Sequence, residues 1–149
     1  MEIMNDKKKI KLFLVDDDPL YLKMLEVELQ QNNDYIIEMF ATGESCVTSL
    51  SGKPDVIILD YLLDNLDKTA MNGIEVLDRI KSQYPDMPVV MLSAQDKIEV
   101  AVNCMHHNAF DYIVKSETAF IRLRKAISVI THIKKTEKAL NWYMEETSK

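Results

Sequence analysis

Carboxylates, a hydroxyl and an ammonium stand where short apolar runs stop. Asp16, Asp17 and Asp18 follow KIKLFLV, Asp60 follows DVIIL, Ser93 follows VVML, and Lys115 follows DYIV. In an open parallel sheet such stops share one edge, so residues distant in sequence meet in one crevice. Two carboxylates ~4 Å apart repel by up to about 4 kcal/mol at an effective dielectric of about 20. A proton or a cation must relieve that repulsion. A hard ion such as Mg²⁺ suits the site, because it takes a few carboxylates and keeps waters that phosphate oxygens can replace. An aspartate there can itself accept a phosphoryl group as an acyl phosphate, a reaction that needs mainly alignment and charge neutralisation. Lys115 can supply part of that neutralisation, and the Ser93 hydroxyl can donate a hydrogen bond. Any one strand-end aspartate could merely begin a turn, and Asp18, followed by Pro19, reads as a helix cap.

The elements that must position these residues alternate along the chain. Ile10–Val15 reads as a buried strand, followed by a helix with Leu22, Leu25 and Leu29 at helical spacing that ends near Asn32-Asn33. Tyr35–Phe40 is a second strand. A short helix over Glu44–Leu50 stops at Ser51-Gly52-Lys53-Pro54. Asp55–Asp60 is a third strand, whose four consecutive aliphatics suit burial on both faces. Gly73–Tyr84 is a helix with Ile74, Leu77, Ile80 and Tyr84 on one side, and Pro85 and Pro88 bracket the turn into a strand over Val89–Ser93. The next helix has the clearest apolar stripe, Ile98, Ala101, Val102 and Met105, with Asn108 placed for a left-handed cap. Ala109–Lys115 is the fifth strand, and a last helix begins near Ser116–Thr118 and runs to about Glu146. Repeated strand–helix units of this kind predict an α/β fold with helices on both faces of a parallel sheet.

The chain has 149 residues, 47% hydrophobic and 28% charged, which suits one globular domain. The expected divisions are a flexible N-terminus at 1–8, a domain at 9–131 and a helical extension at 132–149. No apolar run approaches the ~18 residues a membrane helix needs, and MEIMNDKKKIK lacks the apolar region of a signal peptide. A cytoplasmic location is therefore expected. Cys46 and Cys104 match no ligand spacing and read as buried small hydrophobes. Net charge is −6, which argues against direct nucleic-acid binding. His106, His107 and His132 read as surface or helix-end residues.

Taken as a set, LFLVDDDP, DVIILDYLL, VVMLSAQ and AFDYIVK resemble the receiver domain of two-component response regulators. The resemblance covers about residues 9–130. It implies a doubly wound, flavodoxin-like five-stranded sheet of order 2-1-3-4-5, here with an extended C-terminal helix. It also implies Asp60 as phosphoacceptor, Asp17 as a direct Mg²⁺ ligand, Asp16 acting largely through water, and the Leu62 carbonyl completing the protein ligands. Ser93 would contact the phosphoryl group, Lys115 would pair with it, and Tyr112 would move with Ser93. The donor would be a phosphohistidine on a sensor histidine kinase or a phosphotransfer protein. The signal would leave through the face made by the fourth helix, fifth strand and last helix. Beyond its own phosphorylation and dephosphorylation, such a protein is not an enzyme.

Three departures from that pattern stand out. The first glycine after Asp60 is Gly73, and DNLDKTAMN holds an insertion of about five residues, with Asp64 and Asp67 beside the site. It is either a tolerated surface loop, or a means of partner selection or of modulating phosphate access through Asp64 and Asp67. Lys115 is followed by Ser116 where the family commonly has proline, often with a cis bond, so the turn should differ. Leu62 and Gln95 border the expected path of a hydrolytic water, and an apolar Leu62 offers nothing to orient it, which predicts slow self-dephosphorylation.

The last helix beyond Ile130 continues a sparse stripe of Ile133, Leu140 and Met144, interrupted by Glu137, with Trp142 and Tyr143 near its end. This is too short and interrupted for a coiled coil on sequence grounds. A homodimer could form through it, or through the fourth helix, fifth strand and last helix. The alternative function is a haloacid-dehalogenase-like phosphatase with Asp16 as nucleophile. Asp16-x-Asp18, Ser93 and Lys115 echo its motifs, but Asp60 is then unexplained and a late acidic motif is lacking. A flavodoxin-like binding module ranks third, for want of a glycine- or hydroxyl-rich phosphate loop after the first strand.

Overall fold

Unbroken aliphatic runs form the centre of the sheet because both of its faces are covered. The computed structural model describes residues 8–32, 34–65 and 67–148. The flexible N-terminus expected at 1–8 lies, apart from Lys8, outside the described residues, as does Asn33 at the expected end of the first helix. The strands are β1 (Ile10–Val15), β2 (Tyr35–Phe40), β3 (Val56–Leu59), β4 (Val89–Ser93) and β5 (Asp111–Val114). They alternate with α1 (Pro19–Gln30), α2 (Gly43–Thr48), α3 (Gly73–Gln83), α4 (Ile98–His106) and α5 (Ala119–Thr147). All the strand pairs are parallel, in the order β2-β1-β3-β4-β5.

Period-2 alternation divides the core in two. Leu12 and Leu14 of β1 join Leu22, Leu25 and Leu29 of α1 and Leu123, Ile127 and Ile130 of α5 on one face. Phe13 and Val15 join Val76, Leu77 and Ile80 of α3 and Cys104 of α4 on the other. Each of these large side chains contributes about 1.5–3 kcal/mol by leaving water. Both cysteines are buried and unbridged.

Register decides which strand-end residues meet. Val15 lies opposite Leu59, Leu59 opposite Met91, and Ser93 opposite Val114. The residues that follow Val15, Leu59 and Val114 are Asp16, Asp60 and Lys115, so all three leave the sheet at one edge beside Ser93.

Local chemistry sets the helix ends. Asp18 Oδ1 accepts from Leu20 N at 3.0 Å and Tyr21 N at 3.4 Å, with Pro19 in the first turn of α1. Asn72 and Glu75 form a reciprocal capping box at α3. Asn108 takes the left-handed conformation (φ 70°) and closes α4 by donating to the Met105 carbonyl at 3.0 Å.

Several elements differ from expectation. β3 is shorter than Asp55–Asp60, because the Asp55 carboxylate accepts from Lys11 N at 2.8 Å while Asp60 turns out of the sheet. β5 is shorter than Ala109–Lys115. The Asn108 cap delays its start, and its ladder to β4 ends at Val114. The second helix begins one residue early, where the Thr42 hydroxyl accepts from Ser45 N, and gives way to a 3-10 turn at Leu50–Gly52. On α3 the inward face is Val76, Leu77 and Ile80, whereas Tyr84 is 39% exposed.

Of the α4 apolar stripe, Ile98, Val102 and Met105 face outward, Ile98 77% exposed and Val102 and Met105 each 47%, while Ala101 turns toward the sheet. The neighbouring face, with Cys104 buried and Val100 and Ala101 half-buried, packs on the sheet. α5 has its last buried residue at Ile130, and from there to Ser148 every described residue is half-buried or exposed.

Candidate functional site

The β1–α1 corner delivers two carboxylates. Asp16 stays tied to the sheet by donating its N–H to the Phe40 carbonyl at 3.1 Å. Its Oδ1 accepts from Asp18 N at 2.9 Å, which leaves Oδ2 aimed at Lys115. Asp60 N donates to the Val15 carbonyl at 2.9 Å, so the two strand ends are locked side by side. Lys115 N donates to the Ser93 carbonyl at 2.8 Å, fixing the far side of the crevice. Asp16, Asp60 and Ser93 are the buried polar residues among those described, at 3%, 5% and 0% exposure.

The Lys115 ammonium lies 2.7 Å from Asp16 Oδ2 and 3.5 Å from Asp60 Oδ2. Asp16, Asp17 and Asp60 each offer an oxygen, and those oxygens all fall within 4.8 Å of one another. Three carboxylates against one ammonium leave a formal charge of −2, and burial raises the cost of keeping it. Burial and the neighbouring Asp16 charge push Asp60 up to about 7, against the opposing pull of Lys115 and of the Leu62 N–H. That N–H donates to Asp60 Oδ1 at 3.3 Å. A small, largely buried, all-oxygen donor set with two excess charges fits a hard divalent cation such as Mg²⁺.

Ser93 and Tyr112 are linked through Gln95. Gln95 N donates to Ser93 Oγ at 3.2 Å, and the Tyr112 hydroxyl donates to the Gln95 carbonyl at 2.7 Å. Tyr112 is 9% exposed, and burial raises its phenol while a hydrogen bond with Ser93 opposes that rise. The ring expected to move with Ser93 is thus buried in this conformation.

The long loop after Asp60 begins and ends at one point. Gly73 N donates to the Tyr61 carbonyl at 3.0 Å. A Cβ at Gly73 would come within 2.6 Å of Tyr61 Cα and 2.7 Å of the Asp60 carbonyl, so the close approach requires glycine. Between these ends Leu63 is buried, and Asp67 Oδ1 accepts from Thr69 N at 2.9 Å and from Thr69 Oγ1 at 2.7 Å. Asp67 is therefore an exposed turn residue. Leu66, also in the loop, lies outside the described residues. At the other departure, Lys115–Ser116 is not a cis bond: there is none among the described residues.

Sequence reasoning missed Tyr21. Its ring centroid lies 4.1 Å from the Lys115 ammonium and stacks on Phe120 at 6.3 Å with planes 28° apart. It also missed Glu44, whose carboxylate accepts from Met71 N at 3.3 Å and ties the loop to α2. An aromatic in the first turn after a capping aspartate was the available signal for Tyr21. Nothing in one sequence points Glu44 at Met71.

The family model of the response regulator receiver domain matches residues 12–143. The transcriptional regulatory protein TcrX of Mycobacterium tuberculosis is 28% identical over 123 residues, covering 80% of this chain and 50% of the relative. A protein-glutamate methylesterase/protein-glutamine glutaminase of Clostridium acetobutylicum is 34% identical over 119 residues, 76% of this chain and 32% of the relative. This chain thus spans half or less of those relatives. The crystal structure of the signal receiver domain of a Luxo repressor protein from Vibrio parahaemolyticus superposes with a TM-score of 0.76 at 24% identity. It covers 89% of this chain and 97% of that one, a likeness of fold.

Proposed function

Since this chain belongs to the response regulator receiver domain family, we propose that Asp60 is the carboxylate at which it takes up a phosphoryl group. Receiver domains are phospho-accepting signalling switches, and this chain is one. The observation that carries the choice of Asp60 is the placement of its buried carboxylate within 3.5 Å of the Lys115 ammonium, in the acidic cluster with Asp16 and Asp17. A haloacid-dehalogenase-like use of Asp16 finds no support, because the family match is to the receiver domain.

In this reading an Asp60 oxygen attacks the phosphorus of a phosphohistidine. The phosphorus–nitrogen bond breaks, and the imidazole leaves with its electron pair and takes up a proton. The product is an acyl phosphate on Asp60. Lys115 shifts from the carboxylates toward a phosphoryl oxygen, and the Ser93 hydroxyl donates to another. Asp17, Asp60 and the Leu62 carbonyl would hold Mg²⁺, with Asp16 acting through water, and the ion would neutralise phosphoryl charge.

A donor of this kind is a sensor histidine kinase or a phosphotransfer protein. The phosphoryl group adds roughly two negative charges, and the Ser93–Gln95–Tyr112 chain carries that change to β5. The signal leaves through α4, β5 and α5, a face on which Ile98, Val102 and Met105 of α4 are exposed apolar side chains, with Phe110 just before β5. The same face or the α5 extension would serve a homodimer. Turnover of a separate substrate is not part of this reading. No described helix is long and apolar enough to cross a membrane, and a cytoplasmic site of action is part of the proposal.

Incubation with acetyl phosphate and Mg²⁺, read by intact mass, tests it. The wild type should gain about 80 Da per chain, and Asp60→Ala should gain nothing. Sustained phosphate release that depends on Asp16 and not on Asp60 would favour the phosphatase.

A further inference from the structure

Lys115 carries one of the longest flexible side chains, yet its ammonium is held on three sides. Asp16 and Asp60 flank it at 2.7 and 3.5 Å, and the Tyr21 ring lies across it at 4.1 Å. The turn that bears Lys115 does little to orient it. Beyond the Lys115 N–H bond to Ser93, the turn holds Ala119 N to the Ser116 carbonyl at 3.1 Å and the Ser116 and Thr118 hydroxyls 3.3 Å apart. Thr118 begins α5 with no side-chain capping bond. Tyr21, in contrast, is well anchored. Its own N–H is bonded by the Asp18 cap, and its ring stacks on Phe120 in the first turn of α5.

We propose that Tyr21 is a positioning residue for phosphoryl acceptance, its ring, backed by Phe120, holding the Lys115 ammonium over the Asp16–Asp60 carboxylates. An aromatic face attracts an ammonium electrostatically but offers no lone pair that competes for its hydrogens. Lys115 can therefore exchange a carboxylate oxygen for a phosphoryl oxygen without leaving the ring. The ring also covers the ammonium, whose side chain is 15% exposed, and so strengthens its charge interactions by excluding water. Burial, with Asp16 and Asp60 nearby, pushes the Tyr21 phenol up to about 12, so the ring brings no negative charge to repel the phosphoryl group.

The inference rests on Asp60 as acceptor, and one experiment separates the two. The rate of acyl-phosphate formation is measured over a series of acetyl phosphate concentrations with Mg²⁺, in wild type, Tyr21→Phe, Tyr21→Leu, Phe120→Leu and Asp60→Ala. Tyr21→Leu should lower the maximal rate about 3- to 10-fold, as expected for loss of a partly desolvated cation–π contact, with the half-saturating donor concentration unchanged. Tyr21→Phe, which keeps the ring, should stay within about twofold. Phe120→Leu should slow the reaction by a smaller factor than Tyr21→Leu, and it decides the matter should Tyr21→Leu melt early. Wild-type rates in Tyr21→Leu and Phe120→Leu, or an equal loss in Tyr21→Phe and Tyr21→Leu, overturn the inference and leave Asp60 standing. An adduct that persists in Asp60→Ala overturns the acceptor assignment itself.

Discussion

The Gly73 N–H donates to the Tyr61 carbonyl at 3.0 Å, so the chain that leaves Asp60 returns to the residue beside it. α3 thereby starts against the backbone of the proposed acceptor. A Gly73→Ala methyl would be forced within 2.7 Å of the Asp60 and Tyr61 carbonyls, where backbone and not a mobile side chain must yield. We expect a loss of about 1–3 kcal/mol, the usual cost of overpacking, measured by urea unfolding, together with slower phosphorylation. An alanine variant of wild-type stability would show that the approach is looser than described.

The loop closes on itself, and Asn65, Asp67, Lys68 and Thr69 within it are exposed. Removing about five residues between Asp64 and Ala70 should cost less than about 1 kcal/mol, since closure entropy varies only slowly with length. The same deletion should change transfer from a partner kinase or the lifetime of the phosphoryl group. Transfer rates and lifetimes equal to the parent's would assign the insertion to the surface alone.

Leu62 presents an apolar side chain two residues from Asp60 and cannot orient a water for attack on the acyl phosphate. The phosphorylated protein should persist for many minutes or longer after the donor is removed. Leu62→Asn should shorten that lifetime several-fold, followed by the decay of the phosphorylated mass. Equal lifetimes in the two proteins would count against a role for this position.

Asp60 stands at about 7 through burial and the Asp16 charge. A carboxyl raised above its unfolded value contributes stability that is present at acidic pH and lost as pH rises through the folded value. Without metal, its contribution should therefore fall between about pH 4 and pH 7. Mg²⁺ binds the ionised carboxylate, so the melting temperature should rise more with Mg²⁺ at about pH 8 than at about pH 5. Asp60→Asn should blunt that difference. The same shift at both pH values would mean that Asp60 is not a ligand.

The strand ends were legible because a strand buried on both faces has no polar position until it leaves the sheet, which makes Asp16, Asp60 and Lys115 conspicuous. Asp18, Pro19 and Asn108 were legible for a local reason: caps depend on backbone groups a few residues away. Which way the α4 stripe faces was not legible, because an outward apolar face has the same period as a core face. The pairing of Tyr21 with Lys115 was not legible, because Lys115 is placed by the register of β5 against β4, not by spacing along α1. The inward Tyr112 ring depends likewise on a bond to the Gln95 carbonyl that one sequence does not display.

The most direct measurement is to locate the phosphoryl group. Borohydride reduces an aspartyl phosphate to homoserine, and peptide masses after acetyl phosphate and Mg²⁺ treatment place the change. The account predicts homoserine at position 60 and nowhere else. Conversion at Asp16, Asp17 or Asp64, or none at all in protein that carries the adduct, would contradict it.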